Sequence, residues 1–512
     1  MTMELHYNTL AYPILSFITF LPMIGALPLW IIKDDNWARR FSLFITVIVF
    51  LISLPLYFAF DTGVHGFQFV EKHEWIPDYG LSYLMGVDGI SLPMILLTTF
   101  LGPICVLCSW RYISKRVREF LACLLLIQGI MAGVFAALDL VLFYIFWEAM
   151  LIPMFLMIAI WGGPRRIYAG VKFVLYTLAG SIFLLGAIIA LFSVAGTFSY
   201  PEVALSTFPK SWGIYLFLAF FIAFAVKVPM VPVHTWLPAA HVEAPTAGSV
   251  ILASVLLKMG TYGMLRFNLA LTPEASVKMA PYILILSAVA VLYGGLLSLA
   301  QNDIKKLIAY SSVAHMGFVT LGIFSFNLQG LQGGMLQMIN HGLTTGGLFL
   351  MAGMLYERTH SRKLSVNAGL LRFMPGFAFF LGLFSLSSLA FPGTASFVGE
   401  FLCISGAFKN SIQLGAWIIP GALLAAAYML RMLLKLVWGA NEHSPVRDIN
   451  LREWICLLPL ALFVIVFGFH PSPILQIINP ALKKLMIHVQ GHAPQALDLS
   501  INVASVLFNQ GG

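Results

Sequence analysis

Long apolar runs alternate with short polar segments along almost the whole chain. Fourteen of these runs contain the roughly twenty residues that a helix needs to cross a bilayer. They lie near residues 12–32, 41–60, 84–110, 119–137, 140–161, 170–195, 213–233, 246–268, 280–300, 304–324, 331–356, 374–406, 410–438 and 453–470. The pattern predicts an all-α integral membrane protein of about fourteen transmembrane helices, the first of them retained rather than cleaved.

The basic residues predict the orientation of these helices. Loops after odd-numbered spans, including the one with Lys305 and Lys306, hold more than twice as many lysines and arginines as the opposite loops. The opposite side carries Lys72, Lys210, Arg266, Lys278, Lys409, Lys483 and Lys484. Because short cytoplasmic loops are enriched in basic residues and the number of spans is even, we expect both termini to face outward.

Composition agrees with a membrane location. Hydrophobic residues make up 60% of the chain and charged residues 10%, against about a quarter charged in soluble domains. The net charge of +8 does not indicate nucleic-acid binding, because the basic residues lie in short loops. The five cysteines, including Cys105 and Cys108, lie in apolar runs and are interpreted as buried thiols. No nucleotide, haem or iron–sulfur motif occurs, so we expect no cofactor and no metal in this chain.

Six titratable side chains fall near the middle of predicted spans, where a charge costs about 2.5–3.5 kcal/mol even on a lenient scale. They are Glu148, Lys227, Lys258, His315, His341 and Glu400. A row of such groups on separate helices is what proton movement requires, because each can hold or release a proton. The alternative for Glu148 and Lys227 is a structural ion pair, and a buried histidine can equally be a packing residue.

Two predicted spans contain helix breaks. The segment KVPMVPVHTWLP carries Pro229, Pro232 and Pro238, and LAFPGTASFVGEF carries Pro392 and Gly393. Because proline removes a backbone donor, such a break leaves free carbonyls that can line a polar cavity. Broken helices in corresponding positions of two halves indicate a transport site.

A repeated spacing favours an internal duplication. Glu400 follows Lys227 by 173 residues, and Arg431 follows Lys258 by the same number. The identity between the two halves is otherwise weak, so the spacing is the main sequence evidence for a repeat.

Other titratable groups have simpler explanations. Asp88 and Asp139 lie near helix ends and are expected to act as caps. His234, His241 and Glu243 flank the first break, where they either form a proton-uptake rim or are solvated helix-end residues.

Four segments carry a resemblance to a known family. They are FWEAMLIPMFLMIAIWGG, KVPMVPVHTWLPAAHVEAPTAGSVILASVLLKMGTYGMLRF, DIKKLIAYSSVAHMGF and FPGTASFVGEF. These closely resemble the antiporter-like membrane chains of respiratory complex I, the proton-pumping NADH:quinone oxidoreductase, and the similarity runs along nearly the whole chain. Position 400 is glutamate rather than lysine, and in this respect the chain resembles the branch of the family that contains mitochondrial chain 4 and its bacterial counterpart.

The resemblance implies a role for each residue at membrane depth. Glu148 would modulate Lys227, the central residue of a first half-channel, and Lys258 would pass protons along the membrane plane. The two histidines would continue this polar axis, and Glu400 would serve a second half-channel toward the outer face. Ala239 replaces an aspartate common in the family, which puts proton gathering at the rim in doubt.

The resemblance also implies the domains and the partners. Three N-terminal helices (1–118) would precede two inverted five-helix repeats (119–268 and 280–438), each with a broken helix, and a last helix with a tail (439–512). The partners would be the lipid bilayer and other membrane-arm subunits, including neighbouring antiporter-like chains, in a bacterial inner membrane. NADH, FMN, iron–sulfur clusters and quinone would be bound by partner subunits.

Two transport functions remain open at this point. One is a proton-translocating subunit of complex I, driven by redox energy from its partners. The other is an Mrp-type cation/proton antiporter subunit or a membrane subunit of an energy-converting hydrogenase, which share the repeat. A structural scaffold would have no use for charges in lipid.

Overall fold

The computed structural model describes residues 4–8, 10, 12–64, 66–439 and 446–492. Within these ranges the chain forms three short strands and twenty α-helical segments. The strands are β1 (Glu4–Tyr7), β2 (Gly66–Ile76) and β3 (Leu81–Val87). The helices are α1 (Ile14–Gly25), α2 (Asp35–Phe58), α3 (Leu92–Tyr112), α4 (Val117–Ala136), α5 (Leu140–Ala149), α6 (Leu151–Trp161), α7 (Arg166–Ala195), α8 (Tyr200–Val203), α9 (Gly213–Lys227), α10 (Trp236–Glu243), α11 (Thr246–Ile251), α12 (Leu257–Gly263), α13 (Pro273–Leu299), α14 (Ile304–Ile323), α15 (Leu328–Thr359), α16 (Pro375–Ser388), α17 (Ala395–Asn410), α18 (Ile412–Trp438), α19 (Leu451–Phe469) and α20 (Ser472–His492).

Eleven helical stretches in these ranges are long and apolar enough to cross a membrane. The body of the molecule is therefore a helical multi-span membrane protein, as predicted. The other three predicted spans correspond to the shorter stretch Ile14–Trp30, to α15, and to the pair α16 and α17, into which 374–406 divides. The total of fourteen spans stays a prediction.

The strands were not predicted, and they correct the start of the third span. Residues 84–87 belong to β3, which pairs antiparallel with β2, and β1 pairs parallel with β2. The helix begins only at Leu92, after a turn in which Asp88 accepts from the backbone N–H groups of Ile90 and Ser91. Glu71 on β2 accepts hydrogen bonds from the backbone N–H groups of Leu15 (2.8 Å) and Ser16 (3.1 Å). The sheet thus satisfies free donors at the start of α1.

The central helices form two bundles. The first bundle (α4–α12) packs α7 against α6 and α9, and α12 against α9. The second bundle (α13–α18) packs α13 against α14 and α18, and α15 against α14, α16 and α17. The bundles meet where α11 packs against α15 and α10 against α14.

Each bundle contains an interruption between two helices. Helix α9 ends at Lys227 and α10 begins at Trp236. Helix α16 ends at Ser388 and α17 begins at Ala395. The indole Nε1–H of Trp236 donates to the carbonyl of Val226 at 2.8 Å, so a side chain satisfies an acceptor at the end of α9.

Helix α20, which the apolar pattern did not predict, lies across both bundles. His488 contacts the carbonyl of Ala270 at 2.9 Å, and Gln332 of α15 donates to Asn479 at 2.6 Å. Gly89 permits a close approach, because a Cβ there would lie 2.1 Å from the carbonyl oxygen of Ile477. The predicted tail is described only in part, since 440–445 and 493–512 lie outside the described residues.

Candidate functional site

Lys258 and His341 connect the two bundles by a direct side-chain contact. Lys258 lies in α12, between the π-helical segments Leu252–Leu256 and Met264–Leu269. Such segments rearrange the hydrogen-bond ladder and are frequent at functional sites. Lys258 Nζ lies 2.6 Å from His341 Nδ1 and donates to the carbonyl of Ala253 at 2.5 Å. One of the two nitrogens donates and the other accepts, so the contact is a hydrogen bond between two titratable groups.

His315 and Glu400 form the centre of a hydrogen-bonded network in the second bundle. His315 Nδ1 lies 2.7 Å from Glu400 Oε1, and its Nε2 lies 3.1 Å from the hydroxyl of Ser388. The amide of Gln337 donates to the same Glu400 oxygen at 2.9 Å. The hydroxyl of Tyr428 lies 3.4 Å from His315 Nε2. Five helices, α14 to α18, thus each supply one residue to this network.

The two histidines bring these contacts into one row. The ring centres of His315 and His341 are 5.6 Å apart, with their planes inclined by 57°. Lys258, His341, His315 and Glu400 therefore follow one another from the first bundle into the second. Each of these side chains is no more than 2% exposed. Four of the six predicted site residues thus lie together, as a buried row of titratable groups, which we call the axis.

Lys227 and Glu148 lie outside the axis. Lys227 is 1% exposed, and within the described residues its Nζ has no hydrogen-bond partner. It lies 4.8 Å from the centre of the Trp147 ring, within the range of a cation–π contact. Glu148 is half-buried, and in the described part of the chain it forms no ion pair with Lys227 within 4.0 Å. The structural ion pair considered from the sequence is therefore not present in this structure.

The residues of the proposed rim occupy three different environments. His241 is fully buried and its ring stacks on Phe349, with centres 4.4 Å apart. A carboxylate oxygen of Glu243 accepts from the backbone N–H of Arg165 at 3.0 Å. His234 contacts a tyrosine ring of α13 edge to face. The arrangement favours separate structural roles over a single rim.

The predicted caps are partly correct. The carboxylate of Asp139 accepts from two backbone N–H groups at the start of α5, as expected. Asp88 likewise accepts from the N–H groups of Ile90 and Ser91, but it also forms a buried ion pair with Arg266. This pair was missed because its partners lie 178 positions apart and each has ordinary neighbours in the sequence.

Two basic residues assigned to loops are instead buried. Arg266 lies within the second π-helical segment, and Lys305 donates from α14 to the carbonyl of Ala244 at 2.8 Å. Leaving out these two buried residues removes one basic residue from each side of the membrane in the count that predicted the orientation. The predicted excess of positive charge on one side is therefore unaffected.

The residues related by the 173-residue spacing lie differently with respect to the two interruptions, and the duplication stays a prediction. Lys227 is the last residue of a helix before an interruption, whereas Glu400 lies inside the helix that follows one. Arg431 does not match the buried position of Lys258, because it donates to the carbonyl of Gln301 at 2.9 Å near the end of α13. The spacing is therefore not structural evidence for a duplication.

Two family models match the chain. A family model described as NADH:quinone oxidoreductase/Mrp antiporter matches residues 137–425. A second, described as NADH-ubiquinone oxidoreductase chain 4, amino terminus, matches residues 16–133. The class of protein is thus an antiporter-like membrane chain, as the resemblance of the four segments implied.

Individual relatives narrow the class. The chain is 45% identical over 495 residues to NADH-quinone oxidoreductase subunit M of Rhodobacter capsulatus, covering 92% of this chain and 96% of that protein. It is 44% identical over 464 residues to NADH-ubiquinone oxidoreductase chain 4 of Chondrus crispus, covering 90% and 94%. A chain in the structure of respiratory complex I from Thermus thermophilus with bound NADH matches with a TM-score of 0.86 at 31% identity, covering 93% and 99%. The chain belongs to the subunit M family of NADH:quinone oxidoreductase.

Proposed function

We propose that this chain is a proton-translocating membrane-arm subunit of NADH:quinone oxidoreductase in a bacterial inner membrane. The observation that carries the proposal is the axis of Lys258, His341, His315 and Glu400, which runs from the first bundle into the second. Titratable groups at membrane depth are costly and are retained where protons or ions move. The four side chains form a row along which a proton can pass in the membrane plane.

Two of the three steps along the axis join atoms that are in contact, and the third crosses the gap between the two histidine rings. A proton passes from Lys258 Nζ to His341 Nδ1, which are in contact. Imidazole can take a proton at one nitrogen and release one from the other. His341 Nε2 has no hydrogen-bond partner in the described residues, so it is available to pass a proton across the gap to His315. His315 Nδ1 then delivers a proton to the Glu400 carboxylate.

Lys227 is proposed as the group that loads this axis, and Glu148 as its modulator. A buried ammonium without a hydrogen-bond partner is costly. The charged form of Lys227 is therefore stabilised when a carboxylate or a water molecule approaches it. The interruption after Lys227 and the end of α5 one residue after Glu148 allow their separation to change. When the two groups approach, Lys227 holds its proton; when they separate, it releases the proton toward Lys258.

The proposal extends to topology and partners. We infer fourteen spans with both termini outward, three N-terminal helices (1–118), inverted repeats at 119–268 and 280–438, and a last helix with a tail (439–512). Moving one proton against 100 mV costs about 2.3 kcal/mol. Other membrane-arm subunits would deliver this energy, and partner subunits would bind NADH, FMN, iron–sulfur clusters and quinone.

Proton pumping in sealed vesicles tests the proposal. We expect Lys227→Ala and Glu148→Ala to abolish pumping almost completely while the complex still assembles on native gels. Lys210→Ala, which removes an exposed lysine, is the matched control and should pump normally. Normal pumping by the assembled Lys227→Ala complex would contradict the proposed mechanism.

A further inference from the structure

A cavity on the predicted cytoplasmic side is lined by three cationic side chains. It holds about 720 Å³ of space open to solvent, between the start of α7 in the first bundle and α14 in the second. Arg165, Lys172 and Lys306 line it, together with Tyr168 and Tyr310. The positive groups therefore converge from both bundles on one opening.

The three cations have no carboxylate partner within the described residues. None of them forms an ion pair within 4.0 Å among the described residues, whereas Arg358 pairs with Glu453 at 2.6 Å. The acidic residue in the lining is Glu243, one oxygen of which accepts from a backbone N–H. The lining thus carries three positive charges against one negative charge. Such a site favours an anion that accepts several hydrogen bonds, as phosphate does.

The surface beside the cavity is suited to lipid. Ile167 and Leu175 on α7 are 58% and 59% exposed, and Leu296 on α13 is 54% exposed. Tyr168 is 60% exposed, and its ring centre lies 5.8 Å from Lys172 Nζ. Exposed tyrosines mark the level of lipid headgroups, and exposed aliphatic side chains below them face acyl chains. A soluble phosphate would contact the cations but would leave this apolar border unused.

We propose that this cavity binds the headgroup of an anionic phospholipid. The phosphate would contact Arg165, Lys172 and Lys306, and the acyl chains would lie along the exposed faces of α7 and α13. Anionic lipids are abundant in the cytoplasmic leaflet, and basic pockets between helices on that side bind their headgroups. Because the walls come from both bundles, one bound lipid would bridge them beside the interruption that follows Lys227.

Lipid retention by the purified complex tests this inference without reference to pumping. The test variant combines Arg165→Gln, Lys172→Gln and Lys306→Gln. The control combines Lys33→Gln, Arg372→Gln and Lys435→Gln, which remove three exposed cations with the same loss of charge. After detergent washing, native mass spectrometry should show one fewer anionic phospholipid per complex in the test variant and no loss in the control. Replacing Lys172 and Lys306 by arginine should retain the lipid.

Three results would overturn the inference. Equal lipid retention in the test and control variants would show that the three cations hold no lipid. Displacement of the lipid by millimolar inorganic phosphate alone would identify a phosphate site. Cross-links from a photoreactive amino acid at Tyr168 to an acidic segment of a partner subunit, and none to a photoreactive phospholipid, would identify a protein interface. Cross-links to the phospholipid would support the inference, whether or not the Lys227 variants pump.

Discussion

Lys227 and Glu400 are both buried charges beside an interrupted helix, but their surroundings differ. One oxygen of Glu400 accepts from His315 at 2.7 Å and from Gln337 at 2.9 Å. Lys227 has no hydrogen-bond partner in the described residues and faces the Trp147 ring. One charge is held by a network, and the other lies against an aromatic surface.

We infer from this difference which of the two charges is suited to change its environment. The Glu400 carboxylate is held through one oxygen, and moving it would leave His315 and Gln337 without this partner. A buried ammonium without a partner is unfavourable where it stands, so a second arrangement that supplies one is favoured. We therefore place the variable element of the mechanism at Lys227 and the fixed element at Glu400.

The largest expected effect tests the fixed element. Glu400→Gln keeps the shape of the side chain but removes the group that ionises, so we expect proton pumping to fall by about a hundredfold, the lower end of what a positioned acid or base contributes. Glu202→Gln, at an exposed carboxylate, is the control and should have no effect. Full pumping by Glu400→Gln would show that the axis does not need an ionisable group at this end.

Two substitutions compare the contacts that stabilise Lys227 and Glu400. Trp147→Leu removes the ring that faces Lys227, and we expect about a thirtyfold loss of pumping, because a desolvated cation–π contact is worth about 2 kcal/mol. Gln337→Leu leaves His315 bonded to Glu400, so its loss should be smaller, about threefold. Pumping is measured as protons moved per NADH oxidised. A larger loss in Gln337→Leu than in Trp147→Leu would contradict this comparison.

A smaller effect is expected from a substitution at the first helix interruption. Trp236→Phe removes the indole donor to the Val226 carbonyl, which should destabilise the end of α9 by about 1 kcal/mol. At the second interruption the N–H of Phe391 bonds to the Leu386 carbonyl at 3.0 Å, so there the backbone serves instead. Hydrogen exchange in residues 224–228 should quicken in Trp236→Phe and stay unchanged in the exposed-site control Trp417→Phe. Unchanged exchange in both would remove the capping role.

The smallest effect concerns the attachment of α20 to each bundle. Burial lowers the pKa of His488 below its usual value of 6.5, although the hydrogen bond to the Ala270 carbonyl acts in the opposite direction. A histidine with a lowered pKa resists protonation in the folded protein, so its contribution is full above pH 6.5 and declines as the pH falls below that value. Hydrogen exchange near His488 should therefore quicken in acid, while exchange near Asn479, held by an amide of the second bundle, should not. His488→Gln should abolish the difference.

The sequence predicted the membrane helices and the titratable residues of the axis because both follow from the free energy of transfer between water and lipid. A long apolar run has no other stable location, and an ionisable group inside it is unusual enough to be noticed. The sequence did not predict the neutral residues that contact these charges, because polar and aromatic residues are common in membrane helices. They are Ser388, Gln337, Tyr428 and Trp147. Their importance depends on which helices are neighbours, and the sequence does not contain that information directly.

The errors have similar causes. Residues 84–87 were included in a span because an apolar strand and an apolar helix look alike over four residues. Arg266 was assigned to a loop because charged residues near helix ends are usually solvated. Its carboxylate partner, Asp88, is brought close only by tertiary packing.

The position of α20 has a consequence for how the chain is made. The ribosome synthesises Ser472–His492 long after the residues that this helix contacts, Gly89, Ala270 and Gln332. Helix α20 contacts all three only after the earlier segments that carry them have been placed. Docking of α20 is therefore a late step in the folding of the chain, and it depends on the prior placement of these segments.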